Sequence, residues 1–132
     1  QVGMNLVKGC GTMKISDVAE LTGLSVSTIR FYEKSGLCPF IQRGADGKRR
    51  FSKTDADWLE LLASLRATGM PMSEMRTFAD FYASGDATIP KRRAALLAQR
   101  QRLEARQAEL ERCRTILELK LQKYEEIMKD QT

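Results

Sequence analysis

One short run of hydroxyl and cationic side chains has the chemistry needed to bind phosphate groups and base edges. If the stretch VSTIRFYE is helical, Ser27, Thr28 and Arg30 project outward. Ile29 and Phe31 are then predicted to lie nearer the core. Hydroxyls at a helix N-terminus can donate to phosphate, and arginine can bind guanine through two hydrogen bonds. An ordinary amphipathic helix with a solvated arginine has the same pattern, so this stretch alone does not decide.

A second group of cations follows within the next twenty residues. The group consists of Arg43, Lys48, Arg49 and Arg50, around a predicted hairpin tip. Such a tip beside a recognition helix can span further phosphates, and each phosphate neutralised on duplex DNA adds about 0.9 to the slope of binding against salt. A solubilising surface loop is the alternative. The coincidence of a hairpin with a helix pair makes that alternative the weaker one.

Catalytic chemistry has little support in this composition. The 132 residues contain no histidine, which removes the usual general base and the usual zinc ligand. The three cysteines, Cys10, Cys38 and Cys113, have no paired spacing and favour a reducing cytoplasm over a disulfide scaffold. We therefore expect no enzyme activity, no metal and no cofactor.

Capping and glycine signals predict the helices that position these residues. Ser16 is expected to cap a helix to Thr22, with Val18, Ala19 and Leu21 inward, and Ser25 to cap a second helix ending before Gly36. The turn Thr-Gly-Leu-Ser between them favours a helix-turn-helix. The Asp-Gly pair at 46–47 predicts a two-stranded wing. Beyond it, Ser52 with Asp55 and then Ser73 predict the caps of a second helix pair.

The C-terminal third predicts a coiled coil. No Pro or Gly follows Pro90, and apolar residues recur every seven positions at Leu96, Leu103, Leu110, Leu117 and Tyr124. A helix over 91–129 would be about 55–60 Å long and would need a partner helix to cover its stripe. Homodimerisation is the economical solution. The predicted domains are an N-terminal extension (1–12), a DNA-binding domain (13–83), a linker (84–90) and a dimerisation helix (91–132).

The net charge of +5 is unevenly distributed. Residues 13–53 carry eight Lys or Arg against four Asp or Glu, 54–90 carry two against six, and 91–132 carry eleven against seven. A basic head can attract phosphate or an acidic membrane surface, and charge alone does not choose. No apolar stretch approaches a membrane span and no signal region opens the chain, so a cytoplasmic protein without a membrane partner is expected.

At this point the sequence resembles the MerR family of bacterial transcription regulators. The resemblance rests on ISDVA (15–19), TGLS (22–25), TIRFYE (28–33), GL (36–37), GKRRF (47–51) and LRATGM (65–70). It implies an all-α fold with a small β wing, in which a winged helix-turn-helix domain precedes a long dimerisation helix forming an antiparallel coiled coil. It also implies a homodimer on a near-palindromic promoter site. The dimer would bend and untwist the promoter spacer, and so act on RNA polymerase indirectly through the DNA.

The resemblance carries roles onto particular residues. Thr28 and Arg30 match recognition-helix contacts, Tyr32 matches a tyrosine that contacts the DNA backbone, and Arg49 matches the wing arginine. Lys48 departs from the aromatic residue usual before that arginine, so a phosphate contact replaces the usual packing role. Arg43, Arg50 and Ser27 complete the predicted DNA contacts, behind these in rank.

The signal to which the protein responds is less well indicated. The short form without an effector domain resembles the aldehyde- and electrophile-responsive branch, with Lys120 and Tyr124 matching its closing motif, but Ser64 stands where that branch has its reactive cysteine. Cys38, close to several cations, and Cys113 are the candidate sensor thiols. Both more often serve as small packing residues.

Two other functions remain open from the residues alone. One is a coiled-coil adaptor whose basic head docks an acidic partner. The other is a redox or electrophile sensor that acts through Cys38 or Cys113 and binds DNA only secondarily. A specific footprint on promoter DNA separates the regulator from the adaptor.

Overall fold

The computed structural model describes residues 11–131 and consists of helices with one small hairpin, as predicted. The elements in chain order are α1 (Ile15–Thr22), α2 (Val26–Lys34), β1 (Gln42–Arg43), β2 (Arg49–Arg50), α3 (Lys53–Ala67), α4 (Met72–Ala83), a 3₁₀ turn (Asp86–Thr88) and α5 (Ile89–Asp130). The predicted extension 1–12 falls largely outside the described residues. The predicted linker 84–90 holds the 3₁₀ turn and the first two residues of α5.

The chain divides into two compact units, residues 1–95 and 96–132. We call the first unit the head. The second unit consists of most of α5, whose residues from 101 to 130 are all exposed. Among the described residues, no helix is both long enough and apolar enough to cross a membrane.

The first helix begins two residues earlier than predicted. Its N-cap is Lys14 and not Ser16, because the carboxylate of Asp17 accepts a hydrogen bond from the Lys14 backbone N–H at 3.2 Å. Leu21 was expected to face inward, and it is 52% exposed. The helix packs against the core through Val18, which is fully buried.

The second helix has the predicted caps. The Ser25 hydroxyl accepts a hydrogen bond from the Thr28 backbone N–H at 3.1 Å. At the other end Gly36 has a φ of 83°, and the Leu37 N–H donates to the Tyr32 carbonyl at 3.0 Å. Leu37 is fully buried behind this turn. The residue pattern of α2 therefore fixes both its start and its end.

The second helix pair confirms one predicted cap and corrects the other. At α3 the Ser52 hydroxyl and the Asp55 carboxylate each accept a hydrogen bond from the other residue's backbone N–H, at 3.0 and 2.9 Å. At α4 the N-cap is Pro71 and not Ser73. The pyrrolidine ring of Pro71 fixes the extended entry into the helix without a side-chain cap.

An aromatic cluster joins the helices of the head. The indole of Trp58 is 5% exposed, and its N–H donates to the Leu37 carbonyl at 2.9 Å. One face of the indole stacks on Tyr82, with ring centroids 4.3 Å apart, and Phe78 stacks at 5.6 Å. Burying each large apolar side chain of this kind contributes about 1.5–3 kcal/mol. The cluster thus ties α3 and α4 to the segment that leads from α2 into the wing.

The first turn of α5 is fixed to the end of α4. The Arg92 guanidinium donates to the Thr88 hydroxyl at 3.1 Å and to the Gly85 carbonyl at 3.0 Å. The same group lies over the Tyr82 ring, 5.2 Å from its centroid. The start of the long helix is thereby part of the head.

Candidate nucleic-acid interface

One face of α2 is free of the core. Ile29 and Tyr32 are buried, whereas the outward face carries the exposed residues Ser27, Arg30, Phe31 and Lys34. The expectation that Phe31 lies nearer the core is wrong, since the residue is 52% exposed. At about 100° per residue, Phe31 is about 200° round the helix from Ile29, which places it on the opposite side.

Three hydroxyls cluster at the N-terminus of α2. The Ser25 hydroxyl lies 2.8 Å from that of Thr28 and 3.1 Å from that of Ser27. Ser27 is exposed and Thr28 is half-buried. Because the positive end of the helix dipole lies at the same place, the group is suited to an anion such as phosphate.

Tyr32 presents only its polar tip. The residue is 5% exposed and its ring packs into the core. Within the described residues no hydrogen bond holds the hydroxyl, yet no buried side-chain oxygen there lacks a partner, so the hydroxyl reaches the surface. Burial raises the pKa of Tyr32 above its usual value, against the opposing charge of Arg66. The hydroxyl is therefore neutral at physiological pH and able to donate.

The wing is a hairpin with the predicted Asp-Gly turn. Gln42 pairs with Arg50 and Arg43 with Arg49 in antiparallel register. The turn is closed by the Gly47 N–H, which donates to the Gly44 carbonyl at 3.0 Å. Gly47 has a φ of 80°, a conformation that side chains with a Cβ rarely adopt. The turn therefore sets the register that distributes the wing cations.

An ion pair connects the wing to α2. The Arg49 guanidinium on β2 contacts the Glu33 carboxylate on α2, and the two side chains are 32% and 16% exposed. Glu33 belongs to the TIRFYE motif, but its role escaped the sequence analysis, because a pairing sixteen positions apart leaves no local pattern. The pair fixes the direction in which Arg49 points.

The other wing cations differ in whether they have a partner within the wing. Arg50 pairs with the Asp46 carboxylate at 3.0 Å, and the Arg43 guanidinium donates to the Gly47 carbonyl. The Lys48 backbone N–H, followed by Arg50, lowers the pKa of Asp46, which keeps this carboxylate ionised. Lys48 is exposed, and among the described residues its ammonium has no ion pair. Lys48 is thus the wing cation most available to a ligand.

The start of α1, the helix α2 and the wing border one open cleft of about 640 Å³. Its lining includes Arg30, Arg43, Lys48, Arg49 and Arg50, together with Lys14. Lys14 was absent from the predicted contacts, because a single lysine before a helix carries no distinguishing signal. The predicted cations therefore face one concave, basic surface, while Ser27 and Thr28 lie outside its lining at the start of α2.

Of the two alternatives left open for Cys38, a sensor thiol and a packing residue, the structure favours the packing residue. The thiol is buried, with 3% of the residue exposed. Burial, followed by the negative charges of Glu33 and Asp55, raises the pKa of Cys38 from 9 to about 12, against a hydrogen bond from Trp58 that lowers it. The groups that set this pKa include two carboxylates and no cation. Cys38 is a protonated packing residue and not an activated thiol.

The predicted seam of α5 is open to solvent. Leu103, Leu110, Leu117 and Tyr124 are between 41% and 64% exposed, and Leu96 is half-buried. Cys113 is exposed on the same helix. Positions seven apart share a helix face, so these residues form one apolar stripe. We call it the α5 stripe.

The comparison with known proteins assigns this arrangement to a family. The family described as "MerR HTH family regulatory protein" matches residues 13–81, slightly more than half of the chain. The chain belongs to the MerR family. A second match, "MerR, DNA binding", covers residues 56–119 and so includes the second helix pair and most of α5.

Individual MerR relatives are similar over most of their length. An uncharacterized HTH-type transcriptional regulator of Haemophilus influenzae is 39% identical and covers 86% of this chain, which spans 84% of that protein. The regulator AdhR of Bacillus subtilis is 33% identical over 69% of this chain and 65% of its own length.

Solved MerR structures share the fold. HiNmlR, described as a MerR family regulator lacking the sensor domain and bound to promoter DNA, is 38% identical with a TM-score of 0.78, over 87% of this chain and 91% of its own. A MerR regulator from Bacillus thuringiensis is 32% identical with a TM-score of 0.77, over 85% and 98%. The protein described here is accordingly a DNA-binding transcriptional regulator of the MerR type, and its relatives are named as regulators and not as enzymes.

Proposed function

We propose that the protein acts as a homodimer on a near-palindromic promoter site. The observation that carries this is the α5 stripe, whose residues, Leu103, Leu110, Leu117 and Tyr124, are at least 41% exposed on one helix face. Water contact over such a stripe is unfavourable, and a second copy of α5 covers it with the same residues. Two heads then present two equal DNA-binding surfaces, which a site with two-fold symmetry matches.

Charge favours an antiparallel pairing of the two α5 helices. Residues 91–109 carry six Lys or Arg against two Asp or Glu, a net of +4, whereas 110–130 carry five of each, a net of zero. A parallel pair would place the two +4 segments side by side. The antiparallel pair places each one against a neutral segment and reduces this repulsion.

Each head inserts α2 into the major groove of the DNA and places the wing along the DNA backbone. Ser27, Thr28 and Arg30 lie on or beside the outward face of α2, where they reach bases and the nearest phosphates. The Tyr32 hydroxyl, at the edge of the protein core, donates a hydrogen bond to the DNA backbone. The remaining phosphate contacts come from Arg43, Lys48, Arg49 and Arg50 of the wing. This division separates base recognition from electrostatic positioning.

The regulatory step is a distortion of the promoter between its two polymerase-binding elements. A dimer that bends and untwists an over-long spacer brings both elements to one side of the DNA for RNA polymerase. The proposal is supported by membership of the MerR family and by the likeness to HiNmlR, which is described as bound to promoter DNA without a sensor domain.

The test is a footprint on the promoters of this gene and its neighbours, recorded across a salt series with and without reductant. A protected near-palindrome with hypersensitive cleavage at its centre supports the dimer and the distortion. Salt-sensitive binding without a footprint contradicts them and favours the adaptor. A footprint that changes with reductant, and that Cys113→Ser makes constant, assigns the exposed Cys113 thiol to the switch. Sedimentation equilibrium on the same protein measures the dimer independently.

A further inference from the structure

Phe31 is the apolar member of an otherwise polar surface. The exposed residues of α2 are Ser27, Arg30, Phe31 and Lys34. Phe31 is 52% exposed, whereas the next residue, Tyr32, is buried. Leaving such a ring in water costs free energy in the isolated protein, so a ligand that covers it regains that energy on binding.

The position of the ring suits an apolar group on a base edge. Phe31 follows Arg30 in the sequence and lies one turn beyond Ser27 on the exposed face of α2, beside the two residues best suited to polar base contacts. The neighbouring Tyr32 ring lies 6.1 Å away at 50°, and it borders one side of the Phe31 ring. The major groove offers one apolar feature to such a ring, the C5-methyl group of thymine.

We propose that Phe31 reads thymine by contact between its ring and the C5-methyl group. The inference rests on the proposed insertion of α2 into the major groove and names a specificity determinant within it. Arg30 supplies a polar contact and Phe31 an apolar one, from adjacent positions on the same helix face. A cytosine or a purine at that position lacks the methyl group and leaves the ring partly uncovered.

The test removes the methyl group and keeps the base pair. An operator is first selected from random duplexes by the wild-type protein, and each thymine is then replaced singly by deoxyuridine. At one thymine in each half-site we expect the replacement to weaken wild-type binding about fourfold, the value of one buried methyl group. With Phe31→Ala the same replacement has no effect. Phe31→Leu, which keeps an apolar side chain, retains part of the effect.

A matched control is available on the neighbouring helix. Leu21 on α1 is also 52% exposed. Leu21→Ala therefore truncates an apolar side chain of equal exposure that lies outside α2, and it should leave the deoxyuridine effect intact. Because Phe31 lies outside the core, its variants should unfold at the wild-type temperature.

Three results overturn the inference. One is that deoxyuridine does not change the affinity of the wild-type protein at any thymine of the operator. Another is that the selected operators share no thymine at a constant position. The third is a Phe31→Ala protein that keeps the full deoxyuridine effect, which places the ring on a sugar or on a protein partner. If no duplex is enriched at all, both the proposed function and the inference about Phe31 fail.

Discussion

The cations of the interface differ in whether the protein already holds them in ion pairs. Arg49 is paired with Glu33 and Arg50 with Asp46, whereas Arg30 has no ion pair among the described residues. A paired guanidinium can still donate from its remaining N–H groups, but its direction is fixed beforehand. A free one adapts to its ligand. Arg30 on a rigid helix is suited to base recognition, and Lys48 on the wing tip to phosphate.

Alanine at these two positions should have different effects. We expect Arg30→Ala to abolish specific binding while leaving the affinity for random DNA much less changed, because a bidentate base contact gives about 1–3 kcal/mol of discrimination. Lys48→Ala should weaken all duplexes alike and reduce the salt slope by about 0.9, the value of one phosphate contact. Fluorescence anisotropy at four salt concentrations measures both. Equal losses on specific and random DNA for both variants would contradict the assigned roles.

Cys38 should make stability depend on alkaline pH. Its pKa is raised to about 12 in the folded protein from 9, so between these pH values the unfolded chain loses the thiol proton first. Stability from this group is complete below pH 9 and falls by up to about 1.4 kcal/mol per pH unit above it. Urea unfolding from pH 8 to 10.5 measures the fall.

The control for this prediction is Cys38→Val, which should lack this part of the slope. At pH 7.5 iodoacetamide should modify the exposed Cys113 well before Cys38. Rapid modification of Cys38 in the folded protein would contradict its assignment as a packing residue.

At the scale of elements, the recognition helix and the wing act as one body. The Glu33–Arg49 ion pair joins α2 to β2, and the Trp58 indole ties the end of α2 to α3. Glu33 is negative within a basic surface, so on charge alone its removal would strengthen DNA binding. Its ion pair with Arg49 points to a role in positioning that wing arginine.

Glu33→Gln separates positioning from charge. We expect specific affinity to fall about two- to fivefold as Arg49 loses its fixed direction, an effect in the range of a partly exposed ion pair. Affinity for random duplex should be unchanged or higher, because one negative charge is gone. The variant should also lower the pKa of Cys38, which Glu33 raises, and so speed its alkylation at high pH. Increased affinity for both kinds of duplex would show that Glu33 acts through its charge alone.

Short-range sequence patterns predicted the helices and the hairpin, but not the contacts between them. Ser25, the Ser52–Asp55 box and Gly47 each act within four residues of their own position, so the sequence was sufficient to place α2, α3 and the wing turn. Caps predicted at Ser16 and Ser73 were wrong where Asp17 or Pro71 sets the helix start instead. The cations of the cleft were recognised by composition and by resemblance.

What the sequence could not predict depends on tertiary packing. The exposure of Phe31 is set by which face of α2 the core occupies, and the raised pKa of Cys38 by burial against Glu33 and Asp55. The Glu33–Arg49 pair forms only once the wing folds back onto α2. Each of these depends on groups distant in the chain.

At the scale of the whole molecule, the 42 residues of α5 are the proposed means of assembly. An isolated helix of about 63 Å has no core of its own, and its stability in solution depends on a partner. The apolar residues are not confined to one stripe, since Ile116 is 66% exposed next to Leu117 at 64%. The two neighbours point in directions about 100° apart, so only one of them lies on the α5 stripe.

This pair of neighbours gives a matched test of the dimer. Leu117→Glu buries a carboxylate in the proposed seam and should raise the dimer dissociation constant at least about a hundredfold, given the cost of an unpaired buried charge. Ile116→Glu, equally exposed in one chain but off the stripe, should leave it nearly unchanged. Sedimentation equilibrium measures both. Equal effects of the two changes, or none from either, would place the interface elsewhere.

The single tryptophan gives the molecule an optical reporter of its own. Trp58 lies in the head, buried against Tyr82 and Phe78, while residues 96–132 contain no tryptophan. Its emission should therefore be blue-shifted in the native state and follow the melting of the head alone. Far-ultraviolet circular dichroism is dominated by α5, which supplies about half of the helical residues. Heating one dilute sample with both detectors would show whether the loss of the long helix and the opening of the head are one transition or two.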